Sequence, residues 1–292
     1  MRMFRRLSEH DAYGQNYAAF GVIQTGKREI CLIDSGDRAA GESVAGWLKE
    51  RGWRLAAIYH THAHADHIGG NAILQQQTGC RIWAPERECD AVCDPRQNVS
   101  MLYGGYPPTF LRVPLLMAEP SAAKVLSAAR LPEGWEALPL SGHSPGMVGY
   151  RTADGNAYIA DCLCSRQLLE HYPLTYIYDV AAYLRTLEKV KELDAALFVP
   201  AHADPTTNIR PLAEYNADTV HRNAERICAI CRKPTGFDDL LAALLSAGGM
   251  TLTAARYALV GSTLRSYLSW LCDLGRVRPL LIDYRVRWET VK

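Results

Sequence analysis

Long apolar runs are missing from this chain. None reaches the roughly twenty residues that a membrane-spanning helix needs, so no membrane association is expected. An excess of one charge is missing too: 32 Lys and Arg stand against 31 Asp and Glu, a formal net charge of +1. That balance gives no electrostatic pull toward nucleic acid or an anionic lipid surface. The start, Met1-Arg2-Met3-Phe4-Arg5-Arg6, is basic, but polar Ser8-Glu9-His10-Asp11 follow where a secretory leader would carry its apolar core. A cytoplasmic location is therefore expected. The nine cysteines are odd in number and scattered, which reads as reduced thiols and not as a disulfide framework. Cys228 and Cys231 make a lone CxxC with no second pair, and chance is the expected explanation. Cys89 and Cys93 are spaced to share a helix face. Cys162 or Cys164 is a minor candidate to line a site.

What is present is ample apolar material: 48% of 292 residues, enough for a sizeable core and more than one typical domain. Three parts are expected: a catalytic unit over 1–210, a helical connection over 211–235 and a small unit over 236–292.

The patterning alternates strands with helices. Residues 17–24 and 29–33 read as a hairpin, 42–51 as a helix, 55–59 as a strand, 71–78 as a helix and 81–84 as a strand. This alternation argues an α/β packing with helices outside sheets. From about 86 to 120, prolines and glycines predict irregular structure. The apolar residues there, Met101 to Phe110, either overhang a site or fill a side pocket. The aromatic stretch 165–178 suits a substrate wall or a subunit contact. An amphipathic helix is predicted over 179–193, a strand over 195–199 and a long helix over 212–232.

The tail predicts helices over 237–247, 252–259 and 262–274, then strands over 276–282 and 285–288. Three helices and a hairpin resemble a winged helix-turn-helix. Its seven basic residues face five acidic ones. The third helix offers Arg265 but also Asp273, with no Asn or Gln for base edges. A nucleic-acid partner is not expected; packing or homodimerisation is favoured.

The chemistry concentrates in Tyr59-His60-Thr61-His62-Ala63-His64-Ala65-Asp66-His67-Ile68-Gly69-Gly70, which places four histidines and an aspartate within eight residues. A strand end followed by a tight turn is where α/β sheets usually keep their active groups. In a loop, His62 and His64 can face one point while Asp66 and His67 serve a second. Imidazole with carboxylate suits zinc, and also iron or manganese. Two such ions can share a water as hydroxide. His60 lies outside the H-x-H-x-D-H core and is expected to support the loop without ligating.

That core resembles the signature of the metallo-β-lactamase superfamily, and four further motifs match in order. They are Asp34 in Asp34-Ser35-Gly36, His143 in Ser141-Gly142-His143-Ser144-Pro145-Gly146, Asp161 after Tyr158-Ile159-Ala160, and His202 after Pro200-Ala201. The resemblance spans about residues 10 to 205. It implies an αββα sandwich, with the tail as an added winged-helix-like α+β unit. It implies His62, His64 and His143 on one divalent ion, Asp66, His67 and His202 on a second, and Asp161 bridging both. Asp34 would brace a ligand loop, and Asp66 would additionally steer the proton of the hydroxide. The ions would be zinc, with iron or manganese as substitutes. The loop is similar to the glyoxalase II type, which implies hydrolysis of a small-molecule thioester, ester or lactone. The alternatives are a metal-dependent ribonuclease and a mononuclear-iron dioxygenase. The neutral charge weighs against a ribonuclease, as does the short interval between Asp161 and His202.

Overall fold

The computed structural model of the chain describes residues 4–291; Met1, Arg2 and Met3 of the basic start, and Lys292, lie outside the described residues. Two sheets face each other. The first runs, in spatial as in sequence order, through β1 (Arg5–Arg6), β2 (Asp11–Gln15), β3 (Ala19–Gly26), β4 (Glu29–Ile33), β5 (Arg54–Tyr59), β6 (Arg81–Ala84) and β7 (Ala123–Val125). Pairing is antiparallel from β1 to β4 and parallel from β4 to β7. The second sheet holds β8 (Glu136–Pro139), β9 (Val148–Arg151), β10 (Asn156–Cys164) and β11 (Leu197–His202) side by side, with only β10 and β11 parallel.

Helices cover both outer faces. Over the first sheet lie α1 (Arg38–Arg51), α2 (Ala65–Ile68), α3 (Asn71–Thr78) and α4 (Glu86–Cys93); α5 (Arg96–Tyr103) follows α4 and buries Val99 and Leu102 in a separate cluster. Over the second lie α6 (Arg166–His171), α7 (Val180–Lys191) and α8 (Arg210–Ile230). Between the sheets, Tyr13, Ile23, Ile33, Ala57, Tyr59 and Trp83 pack on Tyr150, Tyr158 and Val199. Val44 and Leu48 of α1 and Leu74 of α3 bury the other face of the first sheet on Ile30, Leu32, Ile58 and Ile82. The layering is α/β/β/α, the sandwich expected.

The tail continues the chain as β12 (Thr235–Gly236), α9 (Phe237–Ala247), α10 (Ala254–Asp273), β13 (Val277–Ile282) and β14 (Arg285–Thr290), with β14 central in a small sheet. Its apolar face has no separate core. Leu240, Leu244, Leu264, Tyr267 and Leu271 share one cluster with Val220 and Ile227 of α8 and with Leu187 and Val190 of α7.

Two sequence expectations differ from the structure. The helices predicted over 252–259 and 262–274 are one helix, α10, running unbroken through Gly261. A glycine lowers helix stability but does not end the hydrogen-bond ladder, and burial of Ala258, Leu264, Leu268 and Leu271 on one side holds the helix together. The segment from 86 to 120 carries two helices where irregular structure was expected, because Pro85 and Pro95 stand at the N-caps of α4 and α5. A missing N–H costs nothing at a helix start.

Candidate metal centre

The loop between β5 and α2 takes its shape from Asp34. That residue ends β4 with a left-handed φ of 60°, a conformation aspartate tolerates better than most residues. Its Oδ1 accepts from the Thr61 backbone N–H at 2.8 Å and faces His60 Nδ1 at 3.1 Å. Its Oδ2 accepts from the Thr61 hydroxyl at 2.7 Å and from His67 Nδ1 at 2.8 Å. One buried carboxylate thus fixes three consecutive features of the loop. His60 has both ring nitrogens occupied, by Asp34 and by Asn71 at 2.8 Å, so it offers no atom to the site.

Two groups of donor atoms come together: His62, His64, His143 and Asp161 in one, Asp66, His67 and His202 in the other. His64 Nδ1 lies 2.9 Å from both His62 Nε2 and His143 Nε2. His62 Nδ1 donates to the Thr61 hydroxyl at 3.0 Å and His143 Nδ1 to the Tyr176 carbonyl at 3.1 Å. Those outer bonds leave the inward Nε2 lone pairs free. Asp161 faces both groups: Oδ1 is 2.9 Å from His67 Nε2, and Oδ2 is 3.1 Å from His202 Nε2 and 3.3 Å from His143 Nε2. Asp66 Oδ2 lies 3.4 Å from His202 Nε2. The strand β10 aims Asp161 through an irregular register on either side of Ala160, whose φ is 49°. Such strain persists where surrounding structure enforces it.

The donor set fits divalent ions on one specific count. His67 Nε2 and Asp161 Oδ1 are buried 2.9 Å apart, with no aligned hydrogen bond between them and none from any other group. Buried polar atoms left unpaired call for an explanation, and an ion between them supplies one. The Asp34–His67 bond is of the kind that fixes the tautomer of a ligating imidazole.

Electrostatics divide the centre into two poles. Burial, reinforced by neighbouring imidazoles, pushes His62 well down and His64 down to about 3. Burial also lowers His143, against the opposing charge of Asp161. At the other pole burial again opposes charge on His67 and His202, but Asp161 and Asp66 outweigh it and hold both well above the ordinary histidine value. Asp66 is held down to about 2: burial acts against it, and His67 and His202 overcome that penalty.

Sequence reasoning missed Glu88. Its carboxylate, buried on α4, accepts from the Ala63 backbone N–H at 3.2 Å, the Ser144 hydroxyl at 2.8 Å and the Gly146 N–H at 2.7 Å. It ties the His62–His67 loop to the His143 loop, and nothing in its local sequence marks it. Asn98, also missed, donates to the Ala63 carbonyl from α5. Cys162 packs into the core beneath α7. Burial pushes the Cys162 thiol well up and that of Cys164 up to about 11, so neither is a thiolate.

A cleft of about 280 Å³ opens beside Asp66, walled by Tyr17, Pro114, Leu115 and Met117. Arg38 sits at its rim, paired with Glu42 and Glu119.

The family model described as the metallo-beta-lactamase superfamily matches residues 14–202. The chain belongs to the metallo-beta-lactamase superfamily. The hydroxyacylglutathione hydrolase of Pseudomonas entomophila is 29% identical over 146 residues, covering 49% of this chain and 44% of that protein. The hydroxyacylglutathione hydrolase of Bradyrhizobium sp. is 31% identical over 193 residues, covering 64% of this chain and 62% of that protein. The match therefore spans only part of these relatives' length. A metallo-beta-lactamase family protein from Thermus thermophilus superposes with a TM-score of 0.71 at 19% identity, covering 94% of each chain. A beta-lactamase domain protein from Burkholderia ambifaria gives 0.72 at 17% identity, covering 99% of this chain and 93% of that one. At those identities the likeness is one of fold, and it takes in the tail as well as the superfamily domain.

Proposed function

We propose that the chain is a metal-dependent hydrolase acting on a small-molecule thioester, ester or lactone. The observation that carries this reading is the convergence of two groups of donor atoms, with His67 Nε2 and Asp161 Oδ1 buried 2.9 Å apart and given no hydrogen bond by any other group. In this reading His62, His64 and His143 hold one ion, Asp66, His67 and His202 a second, and Asp161 both. Divalent ions there, zinc first and iron or manganese as substitutes, would supply Lewis acidity for a carbonyl and acidify water.

The rest falls to the chain's own residues. Asp34, Thr61 and the Tyr176 carbonyl hold the imidazoles in the tautomers that ligate. Asp66, a quarter exposed at the cleft, is the group assigned to steer a water proton. With its pKa near 2, it steers by accepting a hydrogen bond and does not store the proton. The cleft supports an uncharged, partly apolar substrate, because Arg38 is already neutralised by two glutamates. The thioester class draws on the hydroxyacylglutathione hydrolases matched above.

The order short strand, two helices, hairpin, preceded by the long helix α8, supports a winged-helix-like reading of the tail, 236–292, joined through 211–235 to a catalytic unit over 1–210. Three of its cations are engaged within the fold: Arg265 stacks on Phe237 at 4.2 Å, Arg278 pairs with Glu289, and Arg276 with Glu225. That favours a packing role over nucleic-acid binding.

The test is a panel of thioesters, esters, lactones and RNA, offered to protein purified without chelators, then to chelated and zinc-restored protein. Hydrolysis of an acyl substrate, lost on chelation and restored by zinc, is expected. Cleavage of RNA alone, or one iron per chain with oxygen uptake, would overturn the reading.

A further inference from the structure

We infer that α10 is part of the metal centre's support: Thr263 and Ser266 position the strip 175–178, and through it His143. The inference rests on the ligand assignment proposed above and gives the tail a task at the site.

The strip lies between α6 and α7 and belongs to no helix or strand, so no regular ladder of hydrogen bonds holds it. On its inner side, the Tyr176 carbonyl accepts from His143 Nδ1 at 3.1 Å. This is the bond that turns the Nε2 lone pair of His143 toward His64. The Gly142 carbonyl, one residue before His143, accepts from the backbone N–H groups of Tyr178 at 3.0 Å and Asp179 at 2.9 Å. Gly142 packs against the backbone of α7 with no space for a side chain, since a Cβ there would meet the Tyr183 nitrogen at 2.3 Å.

On its outer side the strip meets α10 alone among the side-chain hydrogen bonds of the described residues. The Thr263 hydroxyl, fully buried, accepts from the Ile177 N–H at 3.3 Å and stands 3.3 Å from the Thr175 carbonyl. Ser266 donates to the Tyr178 carbonyl at 2.7 Å. Thr263 thus meets the peptide groups on both sides of Tyr176, its one proton shared between the Thr175 carbonyl and the Leu259 carbonyl at 3.1 Å, and Ser266 holds the peptide group after Tyr178. The Tyr176 ring stacks edgewise on His64 and His143, with centroids 5.1 and 5.5 Å away. It also packs against the cluster of Val99, Leu102, Leu111, Leu116 and Ala258, the last of these on α10. A shift of α10 would move the carbonyl that orients His143. Groups that orient a ligating imidazole in this way typically govern metal affinity by about 10–100-fold.

Thr263 and Ser266 are positioning residues, and their role is read on the full chain by zinc calorimetry of metal-free protein, with the visible spectrum of the cobalt(II) form as a second readout. Thr263→Val with Ser266→Ala is expected to keep the fold, to weaken zinc uptake about tenfold or more, and to alter the cobalt ligand-field bands. Thr263→Ser alone, which keeps the hydroxyl, is expected to match wild type in both. If the double variant does not fold, Ser266→Ala alone is expected to weaken uptake by about threefold, less than the roughly 10–100-fold of a group bonded directly to the ligating imidazole. Zinc affinity and cobalt spectra equal to wild type, in whichever variant folds, would overturn the inference while leaving the ligand assignment intact. Wild-type protein that takes up no zinc would sink the assignment itself, and this inference with it.

Discussion

Asp34 and Glu88 are the two carboxylates on which the ligand loops hang, and each carries a separate prediction. Asp34→Ala leaves Thr61, His60 and His67 without their buried acceptor. The expected loss is about 3–5 kcal/mol of stability, as when one partner of a buried charged network is removed, with metal affinity down by about 10–100-fold. Denaturant titration and zinc calorimetry check the two figures. Glu88→Ala strands two backbone N–H groups and a hydroxyl at about 1–3 kcal/mol each. A variant melting within a degree of wild type would contradict the role given to Glu88. Asp154 offers a pH test away from the metal centre. Its partial burial opposes charge, but bonds from the Ser8 hydroxyl and from the backbone and ring of His10 outweigh it and hold the carboxyl at about 2. The folded chain therefore sheds this proton more readily than the unfolded chain. The stabilisation, under about 1 kcal/mol after solvent screening, is complete above the ordinary carboxylate value of 3.8 and is lost as pH falls toward 2. Asp11 beside it is raised by burial and acts in the opposite sense, so the comparison is of variant against wild type. Asp154→Asn should flatten the fall in melting temperature between pH 4 and pH 2; an unchanged slope contradicts this. At this scale His62, His64, Asp66 and His67 were legible because metal-ligating residue types cluster in one loop, whereas His143, Asp161 and His202 stand far apart in the chain and were marked only by the resemblance to the superfamily's motifs. Glu88 was not legible, since its partners Ala63, Ser144 and Gly146 are near neighbours only in space.

Among the elements, period and caps made α1, α3, α7, α8 and α9 readable. Gly52 and Gly79, both left-handed, stop α1 and α3 where the sequence expected. The failures have a common cause. Proline and glycine are read as breaks, whereas Pro85 and Pro95 open helices and Gly261 lies inside one. Gly261 yields a prediction of its own. A Cβ there would meet only ordinary contacts, the nearest being Arg265 at 3.5 Å and Phe237 at 3.7 Å. Gly261→Ala should therefore stabilise the protein by about 0.5–1 kcal/mol, the usual gain in a helix interior. A destabilised variant in chemical denaturation would mean that α10 needs flexibility at that point.

For the molecule as a whole, the tail and the second sheet share one buried cluster that runs from β10 through α7 and α8 to α10. A pattern of elements of its own suggested a boundary near 236, but such a pattern carries no information about which faces will meet. Removing 236–292 would expose the apolar sides of α7 and α8, so that truncated chain should aggregate on expression and not survive as an active smaller enzyme. The layered fold and the two groups of donors both serve one claim, that this chain holds a pair of ions bridged by Asp161. Zinc titration of the metal-free protein, with elemental analysis at saturation, tests it most directly. Two ions per chain are expected in wild type, and fewer than two with lost acyl hydrolysis in His62→Ala with His64→Ala. No stoichiometric uptake by wild type, or full activity in that double variant, would contradict it.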